Sequence, residues 1–459
     1  MAAATTKDMT HGVPWRLIAG FAVPVFLSQL FQQLYNTADS LIVSNFLGDN
    51  ALAAVSASGP LIFLLVSFFA GAASGVGVAI ARYFGAGDYD KVSRTVHTAV
   101  LLGLISSLIL TVIGVLFTPT LLRWMDTDPE VLPDAIGYFR CYFAGVGAGV
   151  MYNTFTGIMN ALGDSKRPLY YLIISSLTNI VLDLLFIGAF HWGVWSAAVA
   201  TTISQAVSMI LCMIHLMKKG TIYQVELKKL RIDREMLGQI VRYGLPSGVQ
   251  NSVIGFANVI VQSNINSFGK VAMAAYGAYS KLEGFAFLPV TSFTMAITTY
   301  VGQNVGAGRL DRVRESVKFS MKSCTLVLTA AAVIGFLFAP QVIHFFREDT
   351  EVIAIGARAF RFQCVSLPLG AVLVFANMLF QSLGCSWRAS FLAVCRQGLF
   401  FIPLIFLLPR LFDLTGLEMT QMVADFITFL CSGGMLLHFF RTELAREGEK
   451  SPAPAERKM

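Results

Sequence analysis

Twelve apolar stretches, each close to the length of a membrane-spanning helix, follow one another along this chain. They cover about residues 15–38, 51–80, 93–117, 134–157, 168–190, 194–216, 239–265, 272–301, 315–339, 354–379, 389–411 and 418–440. Roughly 20 consecutive apolar residues cross the hydrocarbon core of a bilayer as a helix. The composition agrees, with 55% hydrophobic and only 13% charged residues and a mean hydropathy of +0.66 over 459 residues. A soluble chain of this length carries about twice that share of charge. The sequence therefore predicts an all-α integral membrane protein with twelve transmembrane helices. The N-terminal stretch MAAATTKDMTHGVPW has no small-residue cleavage pattern. No removable signal peptide is expected, and the first span serves as its own signal.

Several function classes fall away at this stage. The seven cysteines are odd in number and scattered, with Cys212, Cys324, Cys395 and Cys431 inside predicted helices. Neither a C-x-x-C pair nor a histidine cluster marks a structural metal site. His97, His191, His215, His344 and His438 lie mostly near helix ends and form no nucleophile–base set, so no enzyme is expected. The chain carries no nucleotide-hydrolysing domain. The net charge of +7 raises the question of nucleic acid, and its placement answers it.

When the loops are assigned alternately to two sides, most of the 34 Lys and Arg fall on one of them. That side holds Lys7, Arg16, Arg82, Lys91, Arg94, Lys166, Arg167, the segment KKGTIYQVELKKLRIDRE, Arg309, Arg312, Arg314, Arg388, Arg396 and the basic tail. Arg123, Arg140, Arg347, Arg358, Arg361 and Arg410 fall opposite. Excess Lys and Arg in short loops marks the cytoplasmic side. Both termini are therefore expected in the cytoplasm, in a multi-pass protein of the plasma membrane. The positive charge reads as a topology signal whose residues can also touch anionic lipid heads. Nucleic acid is not an expected partner, and no obligatory protein partner is evident.

Residues 81–92, ARYFGAGDYDKV, and 302–313, GQNVGAGRLDRV, place two Gly-Ala-Gly triplets 221 positions apart. The same offset pairs Gly48 with Gly269, Asp128 with Asp349, Arg140 with Arg361 and LGDSKR (162–167) with LGCSWR (383–388). The chain is thus two six-helix halves. The first spans residues 1–217, a charged connector covers 218–238, the second spans 239–440, and a polar tail covers 441–459. Six is an even number, so both halves point the same way, as a parallel repeat about an axis along the membrane normal. Such halves commonly enclose a substrate cavity and alternate access by rocking. The glycine triplets lack the G-x-x-x-x-G-K-[ST] order of a phosphate-binding loop. They read as tight turns where glycine permits positive φ and close packing.

Ionisable groups inside a span are costly and mark candidate functional sites. Helix 1 carries Asp39 and helix 5 carries Asp183, both in the half of the bundle away from the GAG turns. Asn179 lies four residues before Asp183 on the same face, and Thr201 of helix 6 falls at comparable depth. Two carboxylates with Asn and Thr oxygens suit a proton or Na⁺, and two unrelated, locally satisfied acids are the alternative. Gln29, Gln32, Asn36 and Asp39 form one polar stripe along helix 1. With one residue inserted, helix 7 repeats it with Asn251 and Asn258, but Val261 stands where Asp39 would be. Leu404 and Phe400 stand in place of Asp183 and Asn179. The polar cavity lining is duplicated and the acid pair is not. Pro24 removes a backbone hydrogen bond from helix 1 and should kink it, as a moving hinge or a static bend. Lys281 and Glu283 in helix 8 and Asp425 in helix 12 are further charges. Glu283 suits a second proton site, a counter-charge to a cationic substrate, or helix packing. The 37 Phe and 17 Met suit flat, varied apolar ligands where they face a cavity.

On the two halves, the paired GAG loops, the MNALGDSKRP turn and the polar residues of helices 1, 5 and 6, the chain resembles the multidrug and toxic compound extrusion family. The resemblance covers about residues 14–440. It implies a V-shaped pair of bundles exporting amphipathic, often cationic, compounds by antiport with H⁺ or Na⁺, with no other cofactor. It also implies that Asp39, Asp183, Asn179 and Thr201 match that family's cation site in the first half, and Pro24 its helix 1 bend. One branch of the family places acids in helices 7 and 10. This chain has none in those apolar cores and resembles the other branch. A flippase for lipid-linked precursors is the competing reading on the same superfamily fold. It would favour several Arg in the cavity for pyrophosphate, and with the basic residues near span ends counted as loop anchors, little basic charge beyond Lys281 is expected within the spans.

Overall fold

The structure, a computed structural model, describes residues 7–124, 129–268, 270–344 and 349–450. Asp128, Gly269, the side chain of Lys281 and the tail beyond residue 450 lie outside the described residues. No strand occurs among the described residues. The helices in order are α1 (Pro14–Leu47), α2 (Asp49–Gly85), α3 (Tyr89–Trp124), α4 (Leu132–Ala144), α5 (Val146–Ala161), α6 (Lys166–Asp183) and α7 (Trp195–Leu216). After the connector come α8 (Arg234–Ser267), α9 (Lys270–Gly306), α10 (Leu310–Leu337), the short α11 (Ala339–His344), α12 (Thr350–Ser382), α13 (Ser386–Val394) and α14 (Ile402–Lys450).

Nine stretches of the described residues are helical, long and apolar enough to cross a membrane. One of these, Ser386–Met435, holds two of the expected spans, divided where Phe412 and Asp413 leave helical geometry. The fourth span is split at Gly145 into α4 and α5, each shorter than a crossing. At Gly145 an added Cβ would collide with the side chain of Thr202 on α7. The seventh, α8, is long enough but diluted by its polar residues. The twelve-span architecture thus holds, with helices longer than their apolar cores.

The two GAG triplets end α2 and α9. Gly87 and Gly308 take φ of 73° and 70°, the left-handed values the turn requires. Gly85 lies against the backbone of Gln303, and Gly306 against the backbone of Arg82. These contacts are the same pair of positions exchanged between halves, so a pseudo-twofold axis passes between the turns. The end of the molecule that carries them is called the GAG end below.

Each half lends one helix end to the other. Ile18, Phe21, Ala22 and Val25 of α1 share an apolar core with Ile297 of α9, Phe375 of α12 and Leu392 of α13. Further along α1, Ile42 and Val43 pack with Tyr138 of α4 and Val146 of α5. In mirror fashion, Ile240 of α8 packs with Val76, Ile80 and Val96, whereas Ala257 and Ile265 pack with Ile405 and Ala424 of α14. Pro24 and Pro246, 222 positions apart, lie inside these two crossing helices. At the middle of the seam between α2 and α8 the two helices meet at glycines. Gly71 and Gly75 of GAASG face Gly248 and Gly244 of GLPSG, and a Cβ on Gly71 would lie 2.6 Å from Gly248 Cα. Small residues at four-residue spacing permit such backbone approach. On the opposite flank α1 and α9 meet through side chains, with Thr291 Oγ1 donating to Gln29 Oε1 at 2.5 Å.

A strap of residues 7–13 crosses the GAG end beneath both halves. Lys7 N donates to Leu162 O, and Met9 N donates to Gln303 Oε1 at 2.9 Å. Gln303 Nε2 in turn donates to Ala161 O at 3.0 Å. Asn304 Nδ2 donates to Met9 O, while Arg309 and Arg312 donate to Thr10 O and Gly12 O. Met9 and Gln303 are wholly buried. Burial pushes the Asp8 carboxyl up, but hydrogen bonds from Thr10 and His11 outweigh it and hold the group below the ordinary carboxylate range. The connector is fastened likewise. Arg94 binds Asp233 at 2.6 and 2.8 Å, which holds the Asp233 carboxyl below its usual range.

Candidate functional site

Two polar cavities of similar size lie in the parts of the halves away from the GAG end. The first, about 710 Å³, is lined by Gln32, Asn36 and Asp39 from α1, by Tyr138 and Tyr142 from α4, and by Thr201 and Gln205 from α7. Asn251 reaches its edge from α8 and donates to Ser67 O of α2 at 3.1 Å. Asp183 ends α6 against this cavity. It is followed by a π-helical turn, Leu184–Ala189, a local widening of the helix that recurs at functional sites. The Asp39 and Asp183 carboxyl groups lie within hydrogen-bonding reach of one another. Asn179, one helical turn earlier, donates from Nδ2 to Thr201 Oγ1 at 3.5 Å.

The sequence-predicted quartet of Asp39, Asp183, Asn179 and Thr201 is thus brought together. Asp183 and Asn179 are wholly buried. Neither oxygen of Asp183 has a donor among the described residues, nor do Asp39 Oδ1 and Asn179 Oδ1. Buried acceptors without donors are expensive. Four of them converge from α1 and α6, a cluster of acceptors short of donors.

The helix 1 stripe divides between spaces. Gln29 faces a third cavity of about 400 Å³ between the halves, with Asn160, Met295, Met378 and Gln381. Beneath it the GAG end is shut, as Thr299 Oγ1 donates to Asn160 O and Gln303 bridges to Ala161. Pro24 is buried in α1, and Ser28 Oγ donates to its carbonyl.

The second half's cavity, about 680 Å³, holds the predicted Asn258 and Glu283, together with Tyr276, Arg396, Gln397, Glu418 and Gln421. Here the sequence reading needs correction. Arg396 and Arg358 were counted as topology anchors of loops on opposite sides, although the stretches 389–411 and 354–379 contain them. Instead Arg396 lies within a π-helical segment, Cys395–Phe401, and its Nε donates to Asp425 Oδ1 at 2.6 Å. Arg358 binds Glu418 through two hydrogen bonds of 2.5 and 3.0 Å. Glu418 was not singled out from the sequence. The repeat offset carried the signal for Arg396, since it aligns with Ser175 in the middle of the fifth span. Tyr35, Tyr138 and Tyr142 were also missed, because aromatics in a span look the same whether they face lipid, a helix or a cavity.

Comparisons with known proteins bear on the family and the fold. The MatE family model matches residues 24–185 and 246–407, one copy in each half. The chain is 29% identical over 392 residues to the probable multidrug resistance protein YoeA of Bacillus subtilis (strain 168), covering 84% of this chain and 83% of that one. It is 24% identical to the multidrug export protein MepA of Staphylococcus saprophyticus, covering 90% and 91%. Among solved structures, an outward-facing MATE family transporter of the MOP superfamily superposes with a TM-score of 0.86 at 25% identity, covering 96% of this chain and all of that one. A MATE crystal structure in a bent conformation superposes with a TM-score of 0.90 at 24% identity, covering 99% and 100%. With its two matched halves, its twelve spans and its paired turns, the chain belongs to the MatE family of multi-pass membrane transporters.

Proposed function

We propose that the protein is a secondary-active antiporter that exports small amphipathic, often cationic, organic compounds in exchange for H⁺ or Na⁺. The observation that carries the proposal is the convergence of donorless oxygens at Asp39, Asp183 and Asn179 beside a cavity lined by both charged and aromatic groups. In this reading Asp39, Asp183, Asn179 and Thr201 hold the coupling ion. Gln29, Gln32, Asn36, Asn251, Asn258 and Glu283 line the substrate path, and Pro24 gives α1 its bend. The GAG end faces the cytoplasm of a plasma-membrane protein with both termini inside, which the positive-inside count supports. The closed seam at that end then makes the described conformation outward-facing, and rocking of the halves would open the other side. The printed names of YoeA and MepA, a probable multidrug resistance protein and a multidrug export protein, support the substrate class.

For a neutral substrate the membrane voltage suffices, whereas a monovalent cation exchanged for one proton draws on the pH gradient alone. One proton moving down about 150 mV releases roughly 3.5 kcal/mol, which sustains roughly a 300-fold gradient of a neutral substrate at about 1.4 kcal/mol per decade. The flippase reading loses ground on the second half's chemistry. Arg396 brings a guanidinium group to that cavity and Arg358 stands behind its Glu418, but each is bound to a carboxylate rather than presented to a pyrophosphate.

The test is efflux of a cationic dye from proteoliposomes under imposed H⁺ or Na⁺ gradients, for the wild type and Asp39→Asn. Efflux driven by one gradient in the wild type and lost in the variant supports the proposal and identifies the ion. Failure of either gradient to drive any of several dyes through folded protein would refute it.

A further inference from the structure

The last carbonyls of a helix find no donor within it and look for one outside. At the C-terminus of α5 three successive carbonyls are taken up across the seam between the halves. Thr299 Oγ1 of α9 donates to Asn160 O at 3.3 Å, and Gln303 Nε2, one helical turn further along, donates to Ala161 O at 3.0 Å. Lys7 N of the strap donates to Leu162 O at 3.1 Å. The Lys7 carbonyl then lies so close to the next residue, Gly163, that a Cβ there would collide with it. Gly163 also takes a φ of 84°, so glycine is what lets the strap lie on this turn.

Toward the second half the strap is held far more firmly. Met9 is wholly buried among Tyr300 and Val301 of α9 and Val313 and Val317 of α10. Its N–H donates to Gln303 Oε1 at 2.9 Å, and its carbonyl accepts from Asn304 Nδ2 at 3.2 Å. Arg309 and Arg312 hold Thr10 O and Gly12 O at 2.9 and 2.8 Å. The connector precedes α8 as the strap precedes α1, and it is fastened in the mirror sense to α3 of the first half. There Arg94 binds Asp233, and Asp233 N donates to Thr98 Oγ1 at 3.2 Å. The repeat offset of 221 carries Asn160, Ala161 and Leu162 onto Gln381, Ser382 and Leu383, and Gln303 onto Arg82. Arg82 donates to Tyr243 OH at 2.9 Å, where Gln303 donates to a helix-end carbonyl. The two sides of the GAG end thus close by different bonds.

We propose that the strap is a clasp, riveted to the second half through Met9 and hooked onto the first half at the C-terminal carbonyls of α5. The GAG end opens when the bond from Lys7 N to Leu162 O lets go, and the strap then travels with the second half. The hook yields first because one backbone hydrogen bond holds it, whereas the rivet combines a buried side chain with bonds from Gln303, Asn304, Arg309 and Arg312. The hook is a main-chain bond, so any residue with an N–H at position 7 serves. The clasp favours the arrangement closed at the GAG end and makes its opening a distinct step. This assignment rests on the alternating-access reading proposed above.

The experiment follows a cysteine placed at Thr299, in the seam, in an otherwise cysteine-free full-length chain. A membrane-impermeant maleimide is supplied from the GAG side of sealed vesicles, and the labelling rate is measured. Lys7→Pro removes the N–H of the hook. It is expected to raise the rate about three- to tenfold, the share of one backbone hydrogen bond. Lys7→Ala keeps the N–H and is expected to stay within about 1.5-fold of the parent chain. Deletion of residues 2–7 removes the hook without a proline and should match or exceed Lys7→Pro, which keeps the test decisive where proline disturbs the strap. The Met9 amide, followed by hydrogen–deuterium exchange, should stay protected in Lys7→Pro, a result that general fraying of the strap would not give. Equal labelling in all four chains, with dye efflux intact, overturns the clasp and leaves alternating access standing. A Met9 amide that loses its protection together with the hook also overturns the clasp. Equal labelling in all four chains with dye efflux absent overturns both the clasp and the exporter.

Discussion

Gln303 joins three parts of the GAG end: the strap through Met9 N, the second half through its own helix, and the first half through Ala161 O. Gln303→Ala removes both bonds and leaves the Met9 N–H and the Ala161 carbonyl poorly paired in a buried seam. Each group left unsatisfied costs about 1–3 kcal/mol. Water admitted on opening recovers part of this, so about 2–4 kcal/mol should be lost from the closed arrangement alone. At about 1.4 kcal/mol per decade, the closed-to-open ratio should fall about 30- to 700-fold. The measurement is the rate at which a polar maleimide labels a cysteine placed at Thr299, which lies in that seam, in a chain whose native cysteines have been replaced. The expected result is labelling at least about tenfold faster in Gln303→Ala than with Gln303 present. Gln303→Met, equal in size but without the hydrogen bonds, should behave like alanine. Equal rates, within about twofold, in correctly folded variants would mean that the bridge carries no closing energy.

Three other perturbations follow from the same structure. Gly71→Ala places a methyl 2.6 Å from Gly248 Cα where about 3.5–4.0 Å is normal, so α2 and α8 must part by about 1 Å. A loss of about 1–3 kcal/mol is expected as a lower melting temperature in detergent. Arg358→Ala should cost about 2–3 kcal/mol, below the 3–5 of a fully buried pair because Arg358 is half exposed, whereas Arg358→Leu with Glu418→Leu should be nearly neutral in the same melt. For Asp8 the folded carboxyl titrates below its unfolded value, so its contribution to holding the strap is full above about pH 4 and disappears as the pH falls through the folded value. Exchange of the Met9 amide with deuterium should accelerate over that acid window, and Asp8→Asn should remove the dependence.

Much of this architecture was legible from hydropathy and internal repetition, because both are properties of long segments. The quartet of Asp39, Asp183, Asn179 and Thr201 was legible for a related reason, since charge within an apolar run stands out and helical spacing assigns its face. Arg396 was misread because a basic residue a few positions inside a span looks like an anchor. Its meaning depends on Asp425, 29 positions away, and no local pattern reports a buried ion pair. The break at Gly145 was invisible, because the side chain that leaves no room for a Cβ there, Thr202, comes from a distant part of the chain. The strap was passed over as a polar leader, and its ordering comes wholly from partners near residues 160 and 300.

The seam between α2 and α8 has a mechanical meaning. Where backbone meets backbone at Gly71, Gly75, Gly244 and Gly248, no Cβ separates the two helices, and a side chain added there must force them apart. The flank between α1 and α9 is held by side chains such as Thr291 and Gln29, which can turn away and re-form. The molecule is bound along one edge like the spine of a book. The halves touch backbone to backbone along the α2–α8 edge, whereas along the α1–α9 edge side chains stand between them.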